Sequence, residues 1–132
     1  KALEGLSRQG IFAGVVLMPV LPFLTDSAES VCAVVDAVAE AGGKFVYPAF
    51  GMTLRDRQRA YYYDRLDRLF PGVRAKYEKQ YGDRYECPSP GAKSLWEAFS
   101  ERCGERGVHY EMRKIISAAK GPYETQLTFF DM

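Results

Sequence analysis

The segment that most constrains the fold of this chain runs from Gly10 to Asp26. Gly10-Ile-Phe-Ala-Gly-Val-Val-Leu-Met18 is a short apolar run, rich in β-branched residues and bounded by Gly and Pro. Such a run reads as a strand buried on both faces. Pro19-Val-Leu-Pro22 follows, and Thr25-Asp-Ser27 opens an amphipathic stretch. A strand feeding a helix is a βα unit, and α/β folds bind ligands beyond the carboxyl ends of their strands. The Met18–Asp26 loop is therefore the first place where the sequence predicts chemistry.

The flanking residues extend this pattern. Ala2, Leu3 and Leu6 share one helical face, with Gly10 as the stop. Asp26 or Ser27 can cap the next helix, and Glu29 is favourably placed in its first turn. Val31, Val34, Val35, Val38 and Ala41 recur at three- and four-residue spacing, which predicts one buried face ending at Gly42-Gly43. Lys44-Phe-Val-Tyr-Pro-Ala-Phe50 reads as a second strand, with Pro48 marking its end. Residues 1–52 thus read as α-β-α-β, a slice of a parallel sheet or of a partial (β/α) barrel with two βα units. Two strands cannot stand alone, so the slice calls for neighbours and is expected to self-associate if it has none.

The remainder has a helical character. Thr53-Leu-Arg-Asp56 resembles a capping box with Asp in place of Glu. A helix is predicted from there to about Phe70, broken by Pro71-Gly72, and a second runs to about Tyr81. Asp83–Gly91 reads as a loop. Leu95, Trp96, Phe99 and Cys103 mark a third helical face, Val108–Tyr110 a brief extended piece, and Met112, Ile115, Ile116 and Ala119 a last short helix. Residues 53–122 are therefore read as a helical C-terminal cap, and 123–132 as a tail. The overall fold class is α/β.

Composition narrows the function classes. The 132 residues are 47% hydrophobic and 14% aromatic, enough to build a core, and 27% charged with a net charge of +1. That balance argues against a globally basic nucleic-acid binder. There is no apolar run long enough for a membrane span, so no membrane partner is expected. Cys32, Cys87 and Cys103 are odd in number and widely spaced, which suits a reducing cytoplasm better than a disulfide framework. The chain starts at Lys1 inside a helical pattern, which predicts a piece of a longer protein. No Walker loop, GxGxxG fingerprint or zinc-ligand spacing is present.

The order of these signals resembles the later half of radical S-adenosylmethionine enzymes of the spore-photoproduct-lyase-like, DNA-repair-photolyase-like branch. The matching residues are Ala2-Leu3 and Leu6 before Gly10-Ile11, then Gly14-Val-Val-Leu-Met-Pro19, Leu21-Pro22 and Thr25-Asp26. Ala41-Gly42-Gly43, Phe45-Val46-Tyr47, Tyr110-Glu-Met-Arg-Lys-Ile-Ile116 and Tyr123-Glu-Thr-Gln-Leu-Thr-Phe-Phe130 continue it. The resemblance implies a [4Fe–4S] cluster held by a CxxxCxxC loop and S-adenosylmethionine as cofactor in the intact parent. This chain has no such loop, and cluster ligands need tight local spacing. Alone it is expected to be inactive and to hold neither group. The resemblance also runs the Gly14–Pro19 strand beside the adenine of the cofactor. Met18 and Pro19 are then the foremost cofactor-contact candidates, followed by Leu21 and Pro22. No metal ligands are predicted.

Other residues invite a sharper and a blander reading. Arg55, Arg57, Arg59, Arg65 and Arg68 interleave with Tyr61-Tyr62-Tyr63. Arginines with aromatics can grip phosphates and stack bases, and Arg57, Arg59 and Tyr63 are the candidates for DNA contact. Against this, Asp56, Asp64 and Asp67 offer local pairing on a solvated helix face. Cys87 reads either as a hydrogen donor or redox thiol, or as a structural cysteine. Cys32 and Cys103 read as core, His109 as a packing or surface residue, and Glu111 and Arg113 as surface charges.

The tail Gln126-Leu-Thr-Phe-Phe130 resembles the short peptide by which bacterial DNA-processing proteins hold the replicative sliding clamp. In that reading Gln126 fills a polar subsite, and Leu127, Phe129 and Phe130 fill apolar ones. The bland alternative folds the tail back on the domain. Three functions are thus in play: part of a radical S-adenosylmethionine enzyme acting on damaged DNA, part of another (β/α)-barrel lyase or aldolase, and a non-catalytic interaction module with a clamp-binding tail.

Overall fold

The structure is a computed structural model that describes residues 1–120. The elements run α1 (Ala2–Arg8), β1 (Val15–Leu17), α2 (Ala28–Glu40), β2 (Val46–Pro48), β3 (Gly51–Thr53), α3 (Asp56–Leu69), α4 (Val73–Tyr81), β4 (Glu86–Pro88), α5 (Ala92–Arg106) and α6 (Met112–Lys120). The architecture is mixed α/β, and its strands form two small sheets with no closed barrel among the described residues.

The α2 helix shows why the first unit forms. Ser27 stands at its N-cap, and its hydroxyl accepts a hydrogen bond from the Ser30 amide at 3.0 Å. Val31, Val35 and Val38 are buried on one face, each burial stabilising the fold by about 1.5–3 kcal/mol. At the far end Gly42 takes φ +82°, and the Gly43 amide donates back to the Val38 carbonyl at 2.8 Å, closing the last turn. The chain then returns as β2 alongside β1, parallel to it, with Val15 opposite Val46 and Leu17 opposite Pro48.

A third segment joins this sheet. His109 bridges Phe45 in parallel, exchanging Val46 N–H to His109 C=O and His109 N–H to Lys44 C=O. Since β1 bonds to the Phe45 carbonyl and His109 to the Val46 amide, they lie on opposite sides of β2. The α5 helix that leads to His109 packs on α2. One core therefore gathers Val20, Val31, Val35, Val38 and Val46 with Leu95, Phe99, Cys103 and Val108.

Between β2 and α5 the chain makes an excursion. The β3 and β4 strands pair antiparallel, with Met52 opposite Cys87, and α3 and α4 lie between them in sequence. This lobe has its own core of Leu54, Tyr63, Leu66, Tyr77, Tyr81 and Cys87.

Several expectations are corrected here. The first strand is three residues long rather than Gly10–Met18, and the second is Val46–Pro48 with the Phe45 bridge rather than all of Lys44–Phe50. The first strand is not buried on both faces. Helices α2 and α5 cover the side on which Val46 is fully buried, while Val16 on the other side is 59% exposed. Thr53 is no helix cap: it pairs with Glu86 in β3, and α3 starts after Arg55 with no side-chain cap. The expected loop Asp83–Gly91 contains β4. No helix among the described residues is long and apolar enough to cross a membrane.

Candidate functional site

The carboxyl ends of β1 and β2 open into a groove of about 540 Å³. Met18 and Pro19, leaving β1, form one wall, and Ala49 and Phe50, leaving β2, form its floor. The lobe supplies the facing wall through Gly51–Thr53 of β3 and Glu86–Pro88 of β4. Parallel α/β sheets place ligands at this end because both strands deliver loops there that the sheet itself does not need. The groove is mostly apolar, with Phe50, Met18 and Met52 as its large side chains. Phe50 is braced from behind by the edges of Phe99 at 5.5 Å and Trp96 at 5.9 Å between ring centroids. Such walls suit a flat, weakly polar ring held by stacking and thioether contacts.

Of the four cofactor-contact candidates, the structure brings Met18 and Pro19 to this groove. Leu21 and Pro22 lie behind the wall. The Leu21 amide donates to the Thr25 hydroxyl at 2.8 Å, and its carbonyl accepts from the Thr25 amide at 2.9 Å. Pro22 is buried, and its carbonyl accepts from the Tyr77 hydroxyl at 2.7 Å. Asp26 accepts from the Phe23 amide at 3.1 Å, so it shapes the loop rather than capping α2.

The DNA-contact candidates do not share a surface. Arg59 is a strut: its side chain is 12% exposed and donates to the Leu54 and Arg84 carbonyls at 3.2 and 2.6 Å. Tyr63 is buried in the lobe core, 6.2 Å from the Tyr77 ring, and Arg74 lies over its face at 5.2 Å. Arg57 alone is exposed, beside Gln58 and Tyr61 in a shallow depression that adjoins the groove through Met52 and Thr53.

Cys87 has 1% exposure, and its thiol faces the Arg84 carbonyl at 3.8 Å. Burial pushes that thiol above its ordinary value, the opposite of what a reactive thiolate needs. Cys103 is fully buried in the α2–α5 core and Cys32 half-buried there, its thiol 3.7 Å from the Ala98 carbonyl. His109 serves through its backbone bridge, and Glu111 pairs with Lys114 at 3.8 Å. No group of three His, Cys, Asp or Glu side chains among the described residues is placed to hold a metal ion. The clamp-like residues Gln126, Leu127, Phe129 and Phe130 lie outside the described residues.

The sequence reading missed Phe50, Met52 and Tyr77 as site residues. Phe50 was within reach of the strand-end rule already applied to Met18. Met52 and Tyr77 owe their places to the lobe folding back over the sheet, which has no local signal. Compared with known protein families, curated proteins and solved structures, the chain has no significant match.

Proposed function

We propose that this chain is the closing part of a radical S-adenosylmethionine enzyme of the spore-photoproduct-lyase-like branch. In this reading β1 and β2 are the last βα units of a partial (β/α) barrel, and the groove at their carboxyl ends seats the adenosyl part of the cofactor. The observation that carries the reading is that Met18 and Pro19, named from the resemblance, line an apolar groove at that end of a parallel strand pair. Met18 and Met52 would face the ring from opposite walls, and Phe50 would support it from the floor. When bound, S-adenosylmethionine supplies an alkyl sulfonium for cleavage; this chain's residues would bind and orient the adenosyl end and keep water from it.

The cysteines do not fit a [4Fe–4S] cluster. Cys87 belongs to the lobe core and Cys103 to the other, while Cys32 lies half-buried against the Ala98 carbonyl. No step through a cluster is derived from these residues, and cluster chemistry would need ligands from elsewhere in the parent.

The test is titration of the full chain, with methyl-labelled methionines, by S-adenosylmethionine. Without a cluster to hold the other end the chain does not retain the cofactor, and only fast-exchanging contact with affinity on the order of millimolar is expected at high ligand concentration. Saturable shifts at Met18 and Met52, with exposed Met112 on α6 unmoved, support the reading. Unmoved Met18 and Met52 methyls, or Met112 shifting equally, overturn it.

The sequence Gln126–Phe130 supports a second, compatible proposal, that the tail docks the protein on a bacterial sliding clamp and so links it to DNA.

A further inference from the structure

We infer that Tyr77 is a positioning residue that fixes the width of the groove and so selects the size of ring it admits. The inference rests on the adenosyl reading of that groove. Tyr77 is fully buried on α4, and its single hydroxyl oxygen ties together parts that belong to both walls. It donates to the Pro22 carbonyl at 2.7 Å, three residues beyond Pro19 in the loop that forms one wall. It lies 3.9 Å from the Met52 sulfur, which belongs to the other wall. Its one proton goes to the carbonyl, so it accepts from the Tyr62 hydroxyl at 2.8 Å. The Met52 contact is then packing against the oxygen.

The loop end of this tie is stiff. Phe23 has φ +65°, a left-handed conformation that a residue with a side chain adopts only when its surroundings hold it there. Those surroundings are the Tyr77 and Tyr81 rings, 5.4 and 6.4 Å from the Phe23 ring, and the Asp26 carboxylate on its amide. Burial also raises the Tyr77 hydroxyl above its ordinary value, so it keeps its proton for the Pro22 carbonyl. With the loop bonded at Pro22 to Tyr77, and Tyr77 packed with Met52 in the same lobe core, the walls cannot separate without breaking a buried hydrogen bond. A groove so held admits a flat, unsubstituted ring and rejects one with a bulky substituent.

Tyr77→Phe keeps the ring and removes only the tie, while Tyr62→Phe leaves the Pro22 bond in place. Two readouts on the full chain are compared. The first is the ratio of affinities for adenosine and N6-benzyladenosine. The wild type is expected to favour adenosine by about tenfold, roughly 1.4 kcal/mol. Tyr77→Phe should bring the ratio close to one, and Tyr62→Phe should preserve it. A global loss of stability would weaken both ligands together and leave the ratio unmoved. The second is hydrogen exchange, which needs no ligand. In Tyr77→Phe the Leu24 and Thr25 amides should exchange about tenfold faster, with Val35 and Val38 unchanged.

An unchanged ratio together with unchanged loop exchange overturns the inference, as does loop exchange that rises only in step with α2. If the wild type binds neither nucleoside, the adenosyl reading fails and the exchange arm alone judges the tie. If Tyr77→Phe does not fold, wild-type exchange decides: Leu24 and Thr25 must be protected as strongly as α4 around Tyr77, and weaker protection overturns the tie.

Discussion

Asp36 on α2 accepts an ion-paired hydrogen bond from Arg102 on α5 at 2.6 Å, and Arg106, one turn on, reaches the same carboxylate at 3.6 Å. The three side chains lock the register of the two helices whose packing builds the larger core. They are also about one-third exposed, so solvent screens them.

Asp36→Ala is therefore expected to lower the urea midpoint slightly in dilute buffer. The difference from wild type should vanish in about 1 M salt, where the screening length falls to about 3 Å. Urea titrations at both salt levels check this, and a large loss that persists in salt would mean that Asp36 holds the helices by packing instead.

Gly51 and Gly104 should respond to alanine with opposite signs. Gly51 enters β3 with φ +142°, and an added Cβ would lie 2.6 Å from the Cys87 carbonyl oxygen and 2.7 Å from the Pro88 Cα. Gly51→Ala should cost more than about 1 kcal/mol. Gly104 is inside α5 with nothing within 4 Å of the same position, so Gly104→Ala should stabilise by up to about 1 kcal/mol. Equilibrium unfolding of both variants reads the two signs directly.

Alkaline pH should unfold the chain early. Burial pushes the Cys103 thiol from 9.0 up to about 12 and the Tyr81 hydroxyl from 10.0 up to about 12. The folded state then retains protons that the unfolded state releases, so stability falls as pH rises. Their contribution is complete below about pH 9 and is lost toward about pH 12. Urea midpoints followed across that window should decline, and Cys103→Ala, though weaker at neutral pH, should decline less steeply.

Much of the parallel body was legible because its signals are local and repeated. The Val31, Val35 and Val38 spacing, the Ser27 cap and the Gly42 stop each specify the same helix. The lobe was harder to read. Strands as short as Gly51–Thr53 and Glu86–Pro88 carry too little alternation to register, and their pairing spans two helices. Thr53 had the right neighbours for a cap, yet its backbone was taken by Glu86. Arg59 looked like a free cation in a row of arginines. Only the fold brings the Leu54 and Arg84 carbonyls to it, and only the fold puts Tyr63 inside. At the site, the strand-end rule pointed to the Met18–Asp26 loop and the resemblance to Met18 and Pro19 within it, but neither had a means of finding a wall contributed by a distant lobe.

The tail proposal makes its own forecast. A short linear motif that orders on binding should hold a bacterial sliding clamp with affinity on the order of micromolar. Replacing Leu127 and Phe130 together by Ala should abolish that binding and leave the unfolding midpoint unchanged, because a terminal docking peptide carries little of a domain's core. Calorimetric titration of the clamp with both chains checks it. Absence of saturable binding by the wild type, or a lower midpoint in the double variant, favours a tail folded back on the domain.

The Ser89 amide donates to the Phe50 carbonyl at 3.1 Å, so the chain leaves the parallel body and comes back to it at neighbouring points. Loop-closure cost depends on where the ends meet and only weakly on what lies between. The body is thus a socket with an interchangeable insert. Descendants could lengthen, shorten or replace the segment from Gly51 to Pro88 while the α2–α5 core stays as it is. Selection can then remodel the lobe wall of the groove so long as the replacement still meets the Pro22 carbonyl and the Phe23 ring, which lets a single scaffold diversify its ligands.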